Sequence, residues 1–224
     1  MISRHILLPA LLLLAAVAPA YAQTDITLPS DPVVLVNGTN DGDTDSGPPP
    51  VAEGVANAIN DTTQKYLNFL DLDSGFMVTP SFGPSVVTGL RLYTANDSVE
   101  RDPASYILEG SNNGVAGPFA VISQGPLSLP AGRNPAGTPI PDLALNYQEI
   151  SFGNAAAYTT YRLTFPTLKD AASANSMQIG EVEFLDAAPS SVPRAVPTMG
   201  QWGILFLALL ILGAVTIQFR LARN

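Results

Sequence analysis

Carboxylates, amides and hydroxyls are the groups in this chain whose spacing could build a site. The densest set lies in Glu53–Asp73, EGVANAINDTTQKYLNFLDLD. A helical-looking lead-in (Val55, Ala56, Ala58, Ile59) runs into a polar turn, Asn60 to Thr63, and then into a strand carrying Tyr66, Leu67 and Phe69. Such a turn can be fixed by one hard cation through oxygen ligands, or by Asn and Asp bonding their own backbone; the residues leave both readings open. A second set, Asp41, Asp43 and Asp45, alternates as in a calcium loop, but Gly is not at the sixth position and Ala52 stands where the closing Glu belongs. It reads as an acidic loop stiffened by Pro48 to Pro50. A third set is Glu181 and Glu183 on one strand face. Carboxylates for glycoside hydrolysis must face each other across a cleft, so by itself this pair reads as two solvated strand residues. A fourth is the loop NDSVERD, in which Asn96, Glu100, Arg101 and Asp102 are candidate ligand-binding residues, with the turn near Asn112 as a second candidate. Alternatively Glu100, Arg101 and Asp102 pair among themselves at the surface. Alternation leaves Tyr93 and Tyr147 as exposed aromatics for stacking.

What is missing narrows the chemistry further. The chain has no Cys, and its one His is His5, inside the leader described next. Without imidazole or thiol, neither a Ser-His-Asp or Cys-His site nor a His-liganded zinc or iron centre can form. Residues 23–188 carry all 19 acidic residues against six bases, a balance of −13. That excludes a basic patch for nucleic acid or anionic lipid and suits a host for divalent cations. The chain is read as a non-enzyme, with a carboxylate-based glycoside hydrolase as the remote alternative.

The two ends hold much of the apolar content. Residues 1–22 combine a basic start, an apolar run from Ile6 to Val17, and small residues at Ala20 and Ala22, the parts of a secretory signal. Near the other end, Trp202–Ile217 is almost wholly apolar and is followed by Arg220 and Arg223. A membrane span needs about 20 apolar residues, so this one is short but workable as a single transmembrane helix. The arginines place its end in the cytoplasm, and the domain outside. Between the ends lie a first strand and an acidic, Pro-rich loop (23–52), a β domain (53–186) and a Pro/Ser linker (187–196). Residues 197–224 form the tail.

Within the domain, short strands separated by Gly, Pro and Asn are expected at 32–36, 65–70, 75–82, 86–96, 105–111, 119–124, 147–152, 160–168 and 177–185. Leu90 and Leu92 alternate with Arg91 and Tyr93, and Val182 and Phe184 with Glu181 and Glu183. Many short strands with one apolar face predict an all-β, antiparallel sandwich or barrel. Residues 126–142, rich in Pro and Gly, are expected to form an extended excursion or mobile loop.

ANAINDTTQKYLNF, the stretch from Ser74 through GSNNG, then YRLTFP and MQIGEVEF resemble, in order, the discoidin or coagulation-factor type C group of galactose-binding-like jelly rolls. The resemblance implies a calcium ion held by Asn60, Asp61, Thr63 and the Lys65 carbonyl, with Glu181 from the last strand. It also implies a carbohydrate or other surface ligand. The tail, Val196, Pro197, Thr198, then Trp202 and Gly203 before the apolar run, resembles the IPTL-type sorting signal handled by an exosortase in Gram-negative bacteria. That implies secretion across the inner membrane, transient anchoring by the helix, and release to the cell surface or matrix. A purely structural or adhesive matrix role without a small ligand is the alternative function.

Overall fold

Apolar residues recur at every second position along much of the domain, and that period becomes ten strands among the described residues, all antiparallel where they pair. The computed structural model describes residues 23–39, 47, 49–140 and 145–186. The strands are β1 Val33–Val36, β2 Tyr66–Asn68, β3 Ser74–Val78, β4 Val87–Tyr93, β5 Ser105–Ser111, β6 Ala120–Pro126, β7 Tyr147–Ser151, β8 Thr160–Phe165, β9 Met177–Ile179 and β10 Glu181–Asp186. One sheet has five strands in the order β1-β3-β8-β5-β6; a second has three, β10-β4-β7; β2 and β9 form a two-stranded ribbon. Register follows the apolar positions: Leu90 faces Phe184, Leu92 faces Val182, and Phe76 faces Leu163.

The two larger sheets share one core. Phe76, Leu108, Tyr161 and Leu163 from the five-stranded sheet and Leu90, Leu92, Val182 and Phe184 from the three-stranded sheet are fully buried. Aromatic contacts join the layers, with ring centroids 6.0 Å apart for Phe76–Phe184, edge to face, and 5.8 Å for the tilted pair Tyr161–Phe184. Each such buried ring contributes about 1.5–3 kcal/mol of transfer free energy. A β-sandwich is the result, as the sequence pattern predicts.

Three local expectations are corrected. The strand expected at 177–185 breaks at Gly180, where a Cβ would sit 2.6 Å from the Thr94 carbonyl oxygen. Its amide bonds the Tyr93 carbonyl at 2.9 Å instead, which sends β9 to β2 and β10 to β4. The helical lead-in forms two 3-10 turns, η1 Val51–Glu53 and η2 Val55–Ile59. The excursion after β6 is tied down wherever it is described: Leu127 and Leu129 are buried, Asn134 bonds the Thr94 and Asn146 carbonyls, and Pro139 bridges Thr62. No helix among the described residues is long and apolar enough to cross a membrane. The expected signal (1–22), linker, sorting motif and Trp202–Ile217 span lie outside the described residues.

Candidate metal centre and binding loops

The polar turn after η2 is built by its own side chains. Asn60 Oδ1 accepts the Thr62 amide at 2.9 Å and the Thr62 hydroxyl at 2.7 Å, closing an Asx turn. Asp61 then takes the left-handed conformation, φ 58°, which Asp tolerates better than most residues. Thr63 is fully buried; its hydroxyl donates to the Pro135 carbonyl and accepts the Thr138 amide at 3.0 Å, latching the turn to the long loop. The Lys65 carbonyl accepts the Asn57 amide group at 2.9 Å, while the Lys65 ammonium reaches Glu53 and Asp97 at 3.3 and 3.1 Å.

Glu181, the first residue of β10, comes to this turn from the far end of the sequence. It is fully buried, and one carboxyl oxygen accepts the Asn60 amide at 2.9 Å. The other oxygen, Oε1, is buried and has no hydrogen-bond partner. Burial pushes Glu181 up to about 10, against the lowering effect of the Asn60 and Asp61 amides, and the charges of Asp25 and Asp61 raise it further. Asp61 itself is raised by partial burial and by the charge of Glu183. An orphaned buried carboxyl oxygen on a residue bonded to this turn fits a hard cation. Among the described residues no three His, Cys, Asp or Glu converge on one metal position. A cation here would therefore take Glu181, Asp61 and main-chain carbonyls such as that of Lys65. The side-chain oxygens of Asn60 and Thr63 are already committed to the turn.

Glu183 is also buried, at 9% exposure, rather than solvated. Its Oε2 accepts Arg91 at 2.7 Å and the Tyr93 hydroxyl at 2.9 Å. Tyr93, expected to be exposed, is only 2% exposed because it packs on Tyr147, centroid to centroid 5.4 Å. Tyr147 is 40% exposed, as alternation predicts. Removing the hydroxyl by Tyr93→Phe is expected to cost about 1–2 kcal/mol in chemical denaturation, since it leaves the buried Glu183 carboxyl one hydrogen bond short; an unchanged midpoint would show that the bond contributes nothing.

The NDSVERD loop precedes β5 and is held from below. Asp102 is fully buried: Arg133 donates to both its oxygens, at 2.8 and 2.7 Å, and Lys169 to one at 2.9 Å. Arg133 also bonds the Asp97 carbonyl, and Gln178 bonds those of Asp97 and Ser98. Asp102 is thus an anchor, and the surface pairing of Glu100, Arg101 and Asp102 does not form. Asn96 is exposed at the loop, Glu100 and Arg101 are half-buried, and Arg101 Nε is buried without a hydrogen-bond partner among the described residues. The Asn112 turn lies at the other end of β5, its side chain spent on Ala157 and Thr159. The structure therefore separates the two loops that the sequence offered together. Arg133, Lys169, Asn57 and Thr138 were not among the sequence candidates; nothing local marks them, because each acts through a partner distant in the chain.

Taken together, the described domain is an antiparallel β-sandwich. Its fold is similar to that of the family 32 carbohydrate-binding module of C. perfringens NanJ, solved in complex with galactose: TM-score 0.50 at 11% identity, covering 74% of this chain and 100% of that one. It is equally similar to CpGH89CBM32-5 from Clostridium perfringens, solved with GalNAc-β-1,3-galactose, at TM-score 0.50 and 11% identity, covering 73% and 100%. No family model and no curated protein sequence matches the chain.

Proposed function

We propose that the chain is an exported, non-catalytic glycan-binding module, steadied by calcium at the Glu181 turn and released to the cell surface or matrix by exosortase processing. The observation that carries the reading is the loop before β5. An exposed Asn96 and a half-buried Arg101 stand on a base locked by Asp102, Arg133 and Lys169. Amide and guanidinium groups carried on an anchored loop suit sugar hydroxyls, because little backbone ordering cost remains on binding. The shared fold with two modules solved with galactose-containing sugars supports the ligand class.

The product recovered from the producing cells, screened on a glycan array, is expected to bind galactose-type glycans. Asn96→Ala and Arg101→Ala should each weaken the best ligand at least tenfold without lowering the melting temperature. Mass spectrometry of the same material should find a start at Gln23 and an end near Val196–Gly203. Binding to no glycan, with loss of the protein altering cell aggregation, would instead establish the structural matrix role.

A further inference from the structure

Each of the three groups that fit a cation at the Glu181 turn is also the root of a tether, and all three tethers end at Asp97 and Ser98 in the loop before β5. The first is Lys65, whose carbonyl belongs to the turn and whose buried ammonium bonds both Asp97 carboxylate oxygens, at 3.3 and 3.1 Å. The second starts at Asp61. Its carbonyl accepts the Ile140 amide at 2.8 Å, and the same loop leads back to Asn134 and Arg133, which donate to the Ala95 carbonyl at 3.2 Å and the Asp97 carbonyl at 3.1 Å. The third starts at Glu181 and runs back along the chain to Gln178. That side chain is fully buried and donates to the Asp97 and Ser98 carbonyls at 2.5 and 2.9 Å.

Ser98 is the residue that needs such holding. Its backbone is left-handed, φ 46°, a region that favours Gly, Asn and Asp and that a serine keeps only where its surroundings fix it. The Ser98 carbonyl also accepts the Arg101 amide at 3.1 Å, and Asn96 stands two residues before it. Asn96 and Arg101 therefore take their positions from this one strained residue. We propose that Asp97 and Ser98 couple the two sites: a cation on Glu181, Asp61 and the Lys65 carbonyl fixes the roots of all three tethers, keeps Ser98 left-handed, and so orders Asn96 and Arg101. With the roots loose, Ser98 relaxes to ordinary backbone and the loop opens. The ordering concerns the protein alone; its consequence for sugar affinity rests on the glycan-binding reading. Coupling of this kind is reciprocal, so a bound glycan tightens the cation by the factor by which the cation tightens the glycan.

Hydrogen exchange of the full chain, in calcium and in chelator, tests the ordering with no sugar present. Calcium is expected to slow exchange of the Arg101 and Asp102 amides, which bond within the loop, at least about fivefold more than that of Asn113 and Thr159 at the far end of β5. The second pair reports general stabilisation and serves as the reference. Asp97→Asn cuts the ion pair to Lys65 and keeps every candidate cation ligand. It should retain the calcium-induced rise in melting temperature and lose at least half of the excess slowing. A glycan found on the array should bind more tightly in calcium by a matching factor, and by less in Asp97→Asn. Excess slowing in a protein that binds no glycan would support the coupling and sink the glycan reading alone. Equal slowing at both ends of β5, no slowing at either, or an excess that Asp97→Asn leaves intact would overturn the proposal.

Discussion

Replacing Asp102 with alanine is expected to destabilise the domain by about 3–5 kcal/mol, the cost of breaking a buried ionic cluster by removing one partner. The carboxylate is fully buried and takes three charge-assisted bonds, two from Arg133 and one from Lys169. Without it, Arg133 and Lys169, only 18% and 22% exposed at their side chains, would keep their charges with no buried anion between them. The three residues belong to three loops, so the loss uncouples the segment before β5 from those after β6 and β8. Equilibrium denaturation would measure it, at roughly 10 °C in melting temperature for a domain of this size. A double-mutant cycle with Arg133→Ala should show coupling above about 1 kcal/mol. A loss below about 1 kcal/mol would mean that the cluster behaves as a surface pair. Where the variant still folds, glycan affinity should also fall, because Asn96 and Arg101 lose their footing.

The same cluster marks how far the sequence could be read. Strand existence was legible because Leu90, Leu92, Val182 and Phe184 repeat at the sheet's own period and all turn inward. The opposite face was not, because the rule that alternate residues face water assumes one open side. On β10 that side is not open: Arg91 and the Tyr93 hydroxyl close on Glu183, and the turn after η2 covers Glu181. Glu181 and Glu183 are consequently both buried, and Tyr93 follows them through its bond to Glu183. The partners of Asp102 stand 31 and 67 residues away, a distance over which local pattern carries no information. Phe82 fell within an expected strand, but β3 stops at Val78, and that earlier stop leaves the ring in a turn. The Asn60–Thr63 turn was located correctly. What the sequence could not show is that Asn60 and Thr63 spend their oxygens on the turn itself, leaving Glu181 as the group in need of a partner.

That need gives the second large effect: calcium should stabilise the wild-type domain and leave Glu181→Gln unmoved. Glutamine keeps a carbonyl oxygen for the Asn60 amide and resembles the protonated acid, so metal-free stability should change little. The carboxyl lies near 10 when folded against about 4.5 when unfolded. A folded-state value above the unfolded one means that the neutral acid's contribution is complete below about pH 4.5 and is lost as pH rises toward 10. In chelator, wild-type stability should therefore decline across that window, by at most about 1.4 kcal/mol per unit, while the glutamine variant stays flatter. A bound cation reverses the preference, because it favours the ionised form that alkaline pH supplies. Calcium at a hundredfold excess over its dissociation constant would add about 2.7 kcal/mol, roughly 5–10 °C in the melt, and more at pH 8 than at pH 6. Thermal melts of both proteins, in calcium and in chelator at the two pH values, measure each of these effects. If chelation leaves the wild-type melt where it was, the oxygen of Glu181 is orphaned for some other reason and the cation has no place in this turn, although the sandwich around it stands.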